Sequence, residues 1–187
     1  ADLPPAQRLH GAVASRDLTG VLLVGGASRR FGSPKALALL DGETLADRGR
    51  RVLAAACDEV LVVGKAGELP FEVLDDGADV RAPIAGVVAA LRAARHEVCV
   101  CLPVDCPWVT PETLRRLGEA CRDVAVPQTG PLPGAWARSA LPVLEARIAA
   151  GGPLALYRAY DELDVVTVHV DPAELADVDT PAELSGA

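Results

Sequence analysis

Short apolar runs alternate along the chain with stretches in which apolar residues recur every three or four positions. The run from Leu18 to Val24 has the length and β-branched character of a buried strand, and it breaks at Gly25-Gly26. Residues 36–42 read as a short extended piece closed by an Asp41-Gly42 turn. From Thr44 to Ala56 the spacing is helical, with Leu45, Val52 and Leu53 on one face and Thr44 or Glu43 near the start. Strands are predicted at Glu59–Val63, stopped by Gly64, and at Phe71–Leu74, ending in Asp75-Asp76-Gly77. Pro83 suits the first turn of a helix that runs to Arg95. A strongly apolar strand, Glu97–Leu102, ends at Pro103. Thr110 is then placed to cap a helix opened by Pro111, with Thr113 at the position where Glu or Gln would complete a capping box. Asp123–Val126 and Gly134–Arg138 are strand-like, and Ser139 is expected to cap a helix through Ala150. Gly151-Gly152-Pro153 interrupts the chain before a short helix, Asp164–Val170 is a last strand, and Pro181 begins a terminal helical turn.

Strands that alternate with helices, several of them apolar throughout, predict an α/β fold. It is a three-layer, Rossmann-like arrangement: a mostly parallel sheet with helices on both faces. In such sheets ligands lie beyond the carboxyl ends of the strands, and each polar motif of this chain falls just after a strand. Residues 1–17 are polar, Pro-containing and non-periodic, so they read as a disordered leader, leaving 18–187 as a single domain. A chain of 187 residues can bury roughly 70% of its unfolded surface, enough for a proper core.

Composition narrows the picture. Half of the residues are apolar but only 3% are aromatic, so the core must be built from Ala, Val and Leu. A net charge of −8 without a long basic run argues against nucleic acid and anionic membranes, both of which recruit clustered Lys and Arg. Cys57, Cys99, Cys101, Cys106 and Cys121 form no C-x-x-C pair and read as buried free thiols of a reduced, cytoplasmic protein. No apolar run reaches the roughly 18 residues of a membrane span, and the N-terminus lacks the regions of a signal peptide.

The loop after the first strand is the basic exception in an acidic chain. Gly25, Gly26 and Gly32 permit close backbone approach or φ > 0, and Arg29, Arg30 and Lys35 bring positive charge to the same turn. A strand that leaves through such a loop aims free N–H groups at one spot, an arrangement suited to a polyphosphate. The spacing is neither Walker A nor G-x-G-x-x-G. On the acidic side, Asp105 stands in Pro103-Val104-Asp105-Cys106-Pro107, where the prolines leave it little conformational freedom. It reads either as a turn-forming Asp or as a hard-oxygen ligand for Mg²⁺. By spacing alone Asp75-Asp76-Gly77 is a turn. Asp177 and Asp179 alternate, and either decorate a helix N-terminus or offer a second metal ligand.

Leu23-Val24-Gly25-Gly26-Ala27-Ser28-Arg29-Arg30-Phe31-Gly32 followed by Lys35 resembles the L-A-G-G-x-S-x-R-M-G-x-x-K signature of the MobA-like nucleotidyltransferases. Val24 and Phe31 replace the usual Ala and Met, apolar for apolar. Pro103 to Pro107 with Thr110-Pro111-Glu112 is similar to the family's metal-binding aspartate segment, and Asp76 with Pro83-Ile84-Ala85-Gly86 to its D … G-P-L-A-G segment. Residues 175–184 resemble the N-x-N-T-P-E-D-L tail, with aspartates for both asparagines. The family often carries an Asn after the second strand, where this chain has Val63-Gly64-Lys65, and a polar acceptor segment where it has Pro131 to Trp136.

The resemblance implies the nucleotide-diphospho-sugar transferase type of fold. It implies transfer of GMP from GTP to the phosphate of molybdopterin, with Mg²⁺ as cofactor and release of pyrophosphate. It assigns nucleotide contacts to Leu23, Val24, Gly25, Gly26, Lys35, Asp76, Gly86 and Asp105, catalysis to Arg30, Lys35 and Asp105, and metal binding to Asp105 with Asp177. A homo-oligomer, or contact with enzymes that accept the finished cofactor, is compatible with it. Two alternatives stay open: a cytidylyltransferase or other nucleotidyltransferase of the same class, and a non-catalytic nucleotide-binding module.

Overall fold

The computed structural model describes residues 16–25, 34–65, 69–77, 82–180 and 183. Of the expected leader, residues 1–15 lie outside the described residues; Arg16 Nη1 donates to the Cys121 carbonyl at 2.6 Å. Also outside are Gly26, Arg29, Arg30 and Gly32 of the first loop, and Pro181 of the terminal turn.

The chain runs β1 (Leu18–Leu23), a 3₁₀ turn (Lys35–Leu37), β2 (Leu39–Leu40), β3 (Glu43–Thr44), α1 (Leu45–Ala56), β4 (Glu59–Gly64), β5 (Leu74–Asp75) and α2 (Pro83–Ala93). It continues through β6 (Val98–Pro103), α3 (Pro111–Ala120), β7 (Val124–Pro127), β8 (Gly134–Ala137), α4 (Leu141–Ala149), a 3₁₀ segment (Leu156–Glu162) and β9 (Val165–Val168). Seven strands form one sheet in the order β5-β4-β1-β6-β8-β7-β9. All are parallel except β8, which runs antiparallel to both β6 and β7. β2 and β3 form a separate hairpin whose Asp41-Gly42 turn has positive φ at both residues (54° and 81°), the geometry of a type I′ turn.

Both faces of the sheet are covered because side chains alternate across each strand. Leu18 and Leu22 of β1, with Val98, Val100 and Leu102 of β6, pack against α1 and α3. Val21 and Leu23, with Cys99 and Cys101, turn to the layer of α2 and α4. The two cysteines thus share one face, as their spacing predicts, and all five are free thiols. α1 starts where Thr44 caps it, its hydroxyl accepting from Asp47 N at 3.0 Å, a cap of about 1 kcal/mol. Among the described residues no helix is long and apolar enough to cross a membrane.

Two expectations are corrected and a third is borne out with an addition. β5 covers only Leu74 and Asp75, because as an edge strand it finds partners only at Val63 and Gly64, the last two residues of β4. Ser139 does not cap α4. It lies in a 3₁₀ turn (Arg138–Ala140) and donates its hydroxyl to Asp123, so the helix begins later with no side-chain cap. Thr110 does cap α3, accepting from Thr113 N at 3.3 Å, but the carboxylate that completes the box is not local. Glu174 supplies it from the C-terminal segment, accepting from Thr110 N at 3.0 Å and Thr110 Oγ1 at 2.8 Å.

Candidate active site

The connections β1→β4 and β5→β6 place α1 and α2 on opposite faces, so the strand order switches between β1 and β6. Such a switch opens a crevice at the strands' carboxyl ends. There the structure has a cavity of about 440 Å³. Leu23, Val24 and Gly25 wall it after β1, Val63, Gly64 and Lys65 at the end of β4, Asp76 after β5, and Val104 and Asp105 after β6. Ala82, Pro83 and Gly86 close it with the first turn of α2, and Asp179 comes from the tail. A Cβ on Gly86 would stand 2.9 Å from Leu23 Cδ2 and push that leucine tip aside. Close backbone approach beside this turn is required at Gly64, at the end of β4, where a Cβ would stand 3.1 Å from Gly25 N and 3.3 Å from Val24 C. At Gly25 a Cβ would meet only ordinary contacts, and its φ is not left-handed.

Lys35 and Asp105 meet at this cavity. The Lys35 ammonium donates to the Val178 carbonyl at 2.7 Å and stands 3.4 Å from both Asp105 Oδ2 and Asp179 Oδ1. Its side chain is 14% exposed and that of Asp105 34%. Asp105 is fixed by its backbone surroundings. Val104 N donates to Leu23 O at 3.0 Å, Cys106 N to Pro103 O at 3.1 Å, and the Asp105 carbonyl accepts from Val178 N at 2.9 Å. The tail is held in turn by Gln128, which exchanges two hydrogen bonds with the Val170 backbone, and by Glu174 at the cap of α3. Beside Asp105, burial pushes the Cys106 thiol up to about 12, helped by the charges of Asp105 and Asp177. It is a packing group, not a nucleophile.

Asp76 faces the same cavity with its side chain only 8% exposed; Lys65 Nζ donates to its Oδ1 at 2.5 Å, and Asp76 N donates to Gly64 O at 3.0 Å. Of the two alternating tail carboxylates, Asp179 lines the cavity. Asp177 is exposed and stands outside the lining. Gly26 and Arg30, assigned to the triphosphate by resemblance, lie outside the described residues.

The oxygen donors suit Mg²⁺, which takes one or two carboxylates and draws the rest of its shell from phosphates and water. Asp105 and Asp179 provide two such groups next to a carbonyl. Among the described residues no cluster of three or more His, Cys, Asp or Glu could hold a metal by protein ligands alone. Asp179 is one of the two tail carboxylates that the sequence offers as a second metal ligand, whereas Lys65 and the Val178 carbonyl were not singled out as site groups by sequence reasoning. The signal that finds Lys65 is its place immediately after a buried strand. The carbonyl has none.

A crevice at the strand tips of an α/β sheet, lined by two lysines, three carboxylates and the first turn of a helix, is the kind of site that suits a phosphate-bearing ligand. A family model described as "MobA-like NTP transferase domain" matches residues 20–165, and the chain belongs to that family. It is 39% identical over 120 residues to a molybdenum cofactor guanylyltransferase of Burkholderia ambifaria, an overlap of 58% of each protein. A protein of the same name from Desulfosudis oleivorans is 29% identical across 91% of this chain and 94% of its own length. Among solved structures, molybdopterin-guanine dinucleotide biosynthesis protein A from Archaeoglobus fulgidus superposes with a TM-score of 0.75 at 26% identity, covering 89% of this chain and 95% of that one. A cytidylyltransferase from Thermus thermophilus, at 21% identity and a TM-score of 0.68, shares the fold.

Proposed function

We propose that residues 18–187 form one nucleotidyltransferase domain that moves GMP from GTP to the phosphate of molybdopterin. An oxygen of the acceptor phosphate bonds to the α-phosphorus, the bond from that phosphorus to the bridging oxygen breaks, and pyrophosphate leaves with the electron pair. The attacking oxygen is already anionic, so no general base is needed, and catalysis rests on alignment and charge neutralisation. Gly25 lets the chain pass close to the phosphates, and Lys35 places a point charge at them. Asp105, with Asp179 beside it, would hold Mg²⁺, whose chemistry is neutralisation of phosphate oxygens as charge moves to the leaving group. Asp76 and Lys65, joined on the far wall, suit the nucleoside, with Gly86 leaving room for the base. Gly26 and Arg30 are proposed to complete the triphosphate cradle and Asp177 to assist at the metal. The cytoplasm is the compartment that fits this chemistry.

The observation that carries this reading is the convergence of Lys35 and Asp105 at one cavity at the strand tips. The relatives' names support guanine and molybdopterin as substrates. Pyrophosphate release by the purified chain, given molybdopterin, Mg²⁺ and each of GTP, CTP, ATP and UTP, tests it. Turnover with GTP is expected. Selective turnover with CTP would overturn the guanine assignment, and nucleotide binding without pyrophosphate release would overturn transfer itself.

A further inference from the structure

Among the described residues, the Lys35 ammonium lies near the Val178 carbonyl at 2.7 Å and near Asp105 Oδ2 and Asp179 Oδ1 at 3.4 Å each. The oxygens are mounted on fixed backbone. Val178 N is bonded to the Asp105 carbonyl at 2.9 Å, and Asp179 N donates to the Glu183 carboxylate at 2.6 Å. The cation is mounted differently, at the end of a flexible four-carbon stem. A cradle of oxygens carried on a tied-down backbone, around a cation on a flexible stem, suits exchange.

We propose that this cradle is a cation-exchange site. The Lys35 ammonium occupies the position of the divalent ion while the site is empty of nucleotide, and Asp179 completes the carboxylate pair that both cations compete for. The inference rests on the reading of Asp105 as a metal ligand. When a nucleotide enters, its phosphates give the ammonium new acceptors and the stem swings to them, freeing the carboxylates. Nucleotide and metal therefore help each other to bind, and in the absence of nucleotide the lysine suppresses metal affinity. Reciprocal coupling of this kind commonly amounts to a factor of about 5–150.

Mn²⁺ provides a probe that needs no turnover, because the free ion is counted directly by its electron paramagnetic resonance signal. Titrated without nucleotide, the Lys35→Met chain is expected to bind Mn²⁺ roughly tenfold more tightly than the unaltered chain. Adding Asp179→Asn to Lys35→Met should remove most of that gain. Lys35→Gln repeats the measurement with a polar neutral side chain, and far-ultraviolet circular dichroism checks that each variant is folded. Folded Lys35→Met and Lys35→Gln chains that bind no more tightly than the unaltered chain overturn the exchange. A gain that survives Asp179→Asn overturns the role of Asp179. A parallel titration with GTP separates this from the underlying reading. If Asp105→Ala leaves nucleotide-dependent Mn²⁺ binding intact, the metal assignment fails. If Asp105→Ala abolishes that binding while Lys35→Met gains nothing, only the exchange is wrong.

Discussion

The two ends of the central strands carry similar polar groups put to opposite uses. At the amino end, Glu59 of β4 has a side chain only 12% exposed and is fully engaged. It accepts from Thr19 Oγ1 at 2.7 Å, from Arg95 N at 2.9 Å and from Arg95 Nε at 3.0 Å. At the carboxyl end, Lys35 keeps its two carboxylates at 3.4 Å and all three groups border a cavity. The first cluster closes on itself and ties β1, β4 and the end of α2 together. The second leaves charge arranged around a space. The first cluster is spent on folding, whereas the second lines a space that a ligand can enter.

The sharpest way to break this comparison is to delete one carboxylate from each end. Asp105→Ala is expected to lower kcat by about a hundredfold or more, the scale of losing one aligned electrostatic group, while the chain still folds. Initial rates of pyrophosphate release beside a thermal melt would check it. Near-normal turnover in the folded variant removes Asp105 from the chemistry.

Glu59→Ala should do the reverse. It strands the fully buried Thr19 hydroxyl, and an unsatisfied buried polar group costs about 1–3 kcal/mol. Denaturant unfolding should show that loss, with activity per folded molecule unchanged. A large fall in kcat without a change in stability would erase the distinction between the two ends.

How far this contrast was legible in the sequence depends on the distance over which each group is fixed. β1, β4 and β6 announce themselves because strands covered on both faces read as near-continuous apolar runs. Asp105 stands out because the prolines flanking it are local. The direction of β8 carried no such signal, since Gly134–Ala137 is apolar and reads alike in either sense; only its register with Cys99 and Val100 makes it antiparallel. Ser139 looked like a cap by position, but Asp123, sixteen residues earlier, takes its hydroxyl. The Val178 carbonyl on Lys35 is a backbone atom, invisible to any pattern of side chains. Family resemblance pointed to the tail, and the fold then chose Asp179 over Asp177 for the cavity wall.

The tail's anchor is the finest test of the contrast, because Glu174 belongs to the closed type yet supports the open site. Burial alone would raise its pKa, but the Thr110 N–H and hydroxyl, with the Thr113 hydroxyl, bring it below the ordinary 4.5. The carboxylate therefore stabilises the fold fully above about pH 4.5, and that contribution drains away as the pH falls through the lower folded value. Glu174→Gln keeps the shape and removes the charge, so near neutral pH it should cost up to about 1 kcal/mol, held down by solvent screening of a half-buried group. Melting both chains from pH 7 to pH 3 should show their difference shrinking as the native carboxylate takes up its proton. A gap that stays constant down to pH 3 would mean that the charge is not what holds the tail.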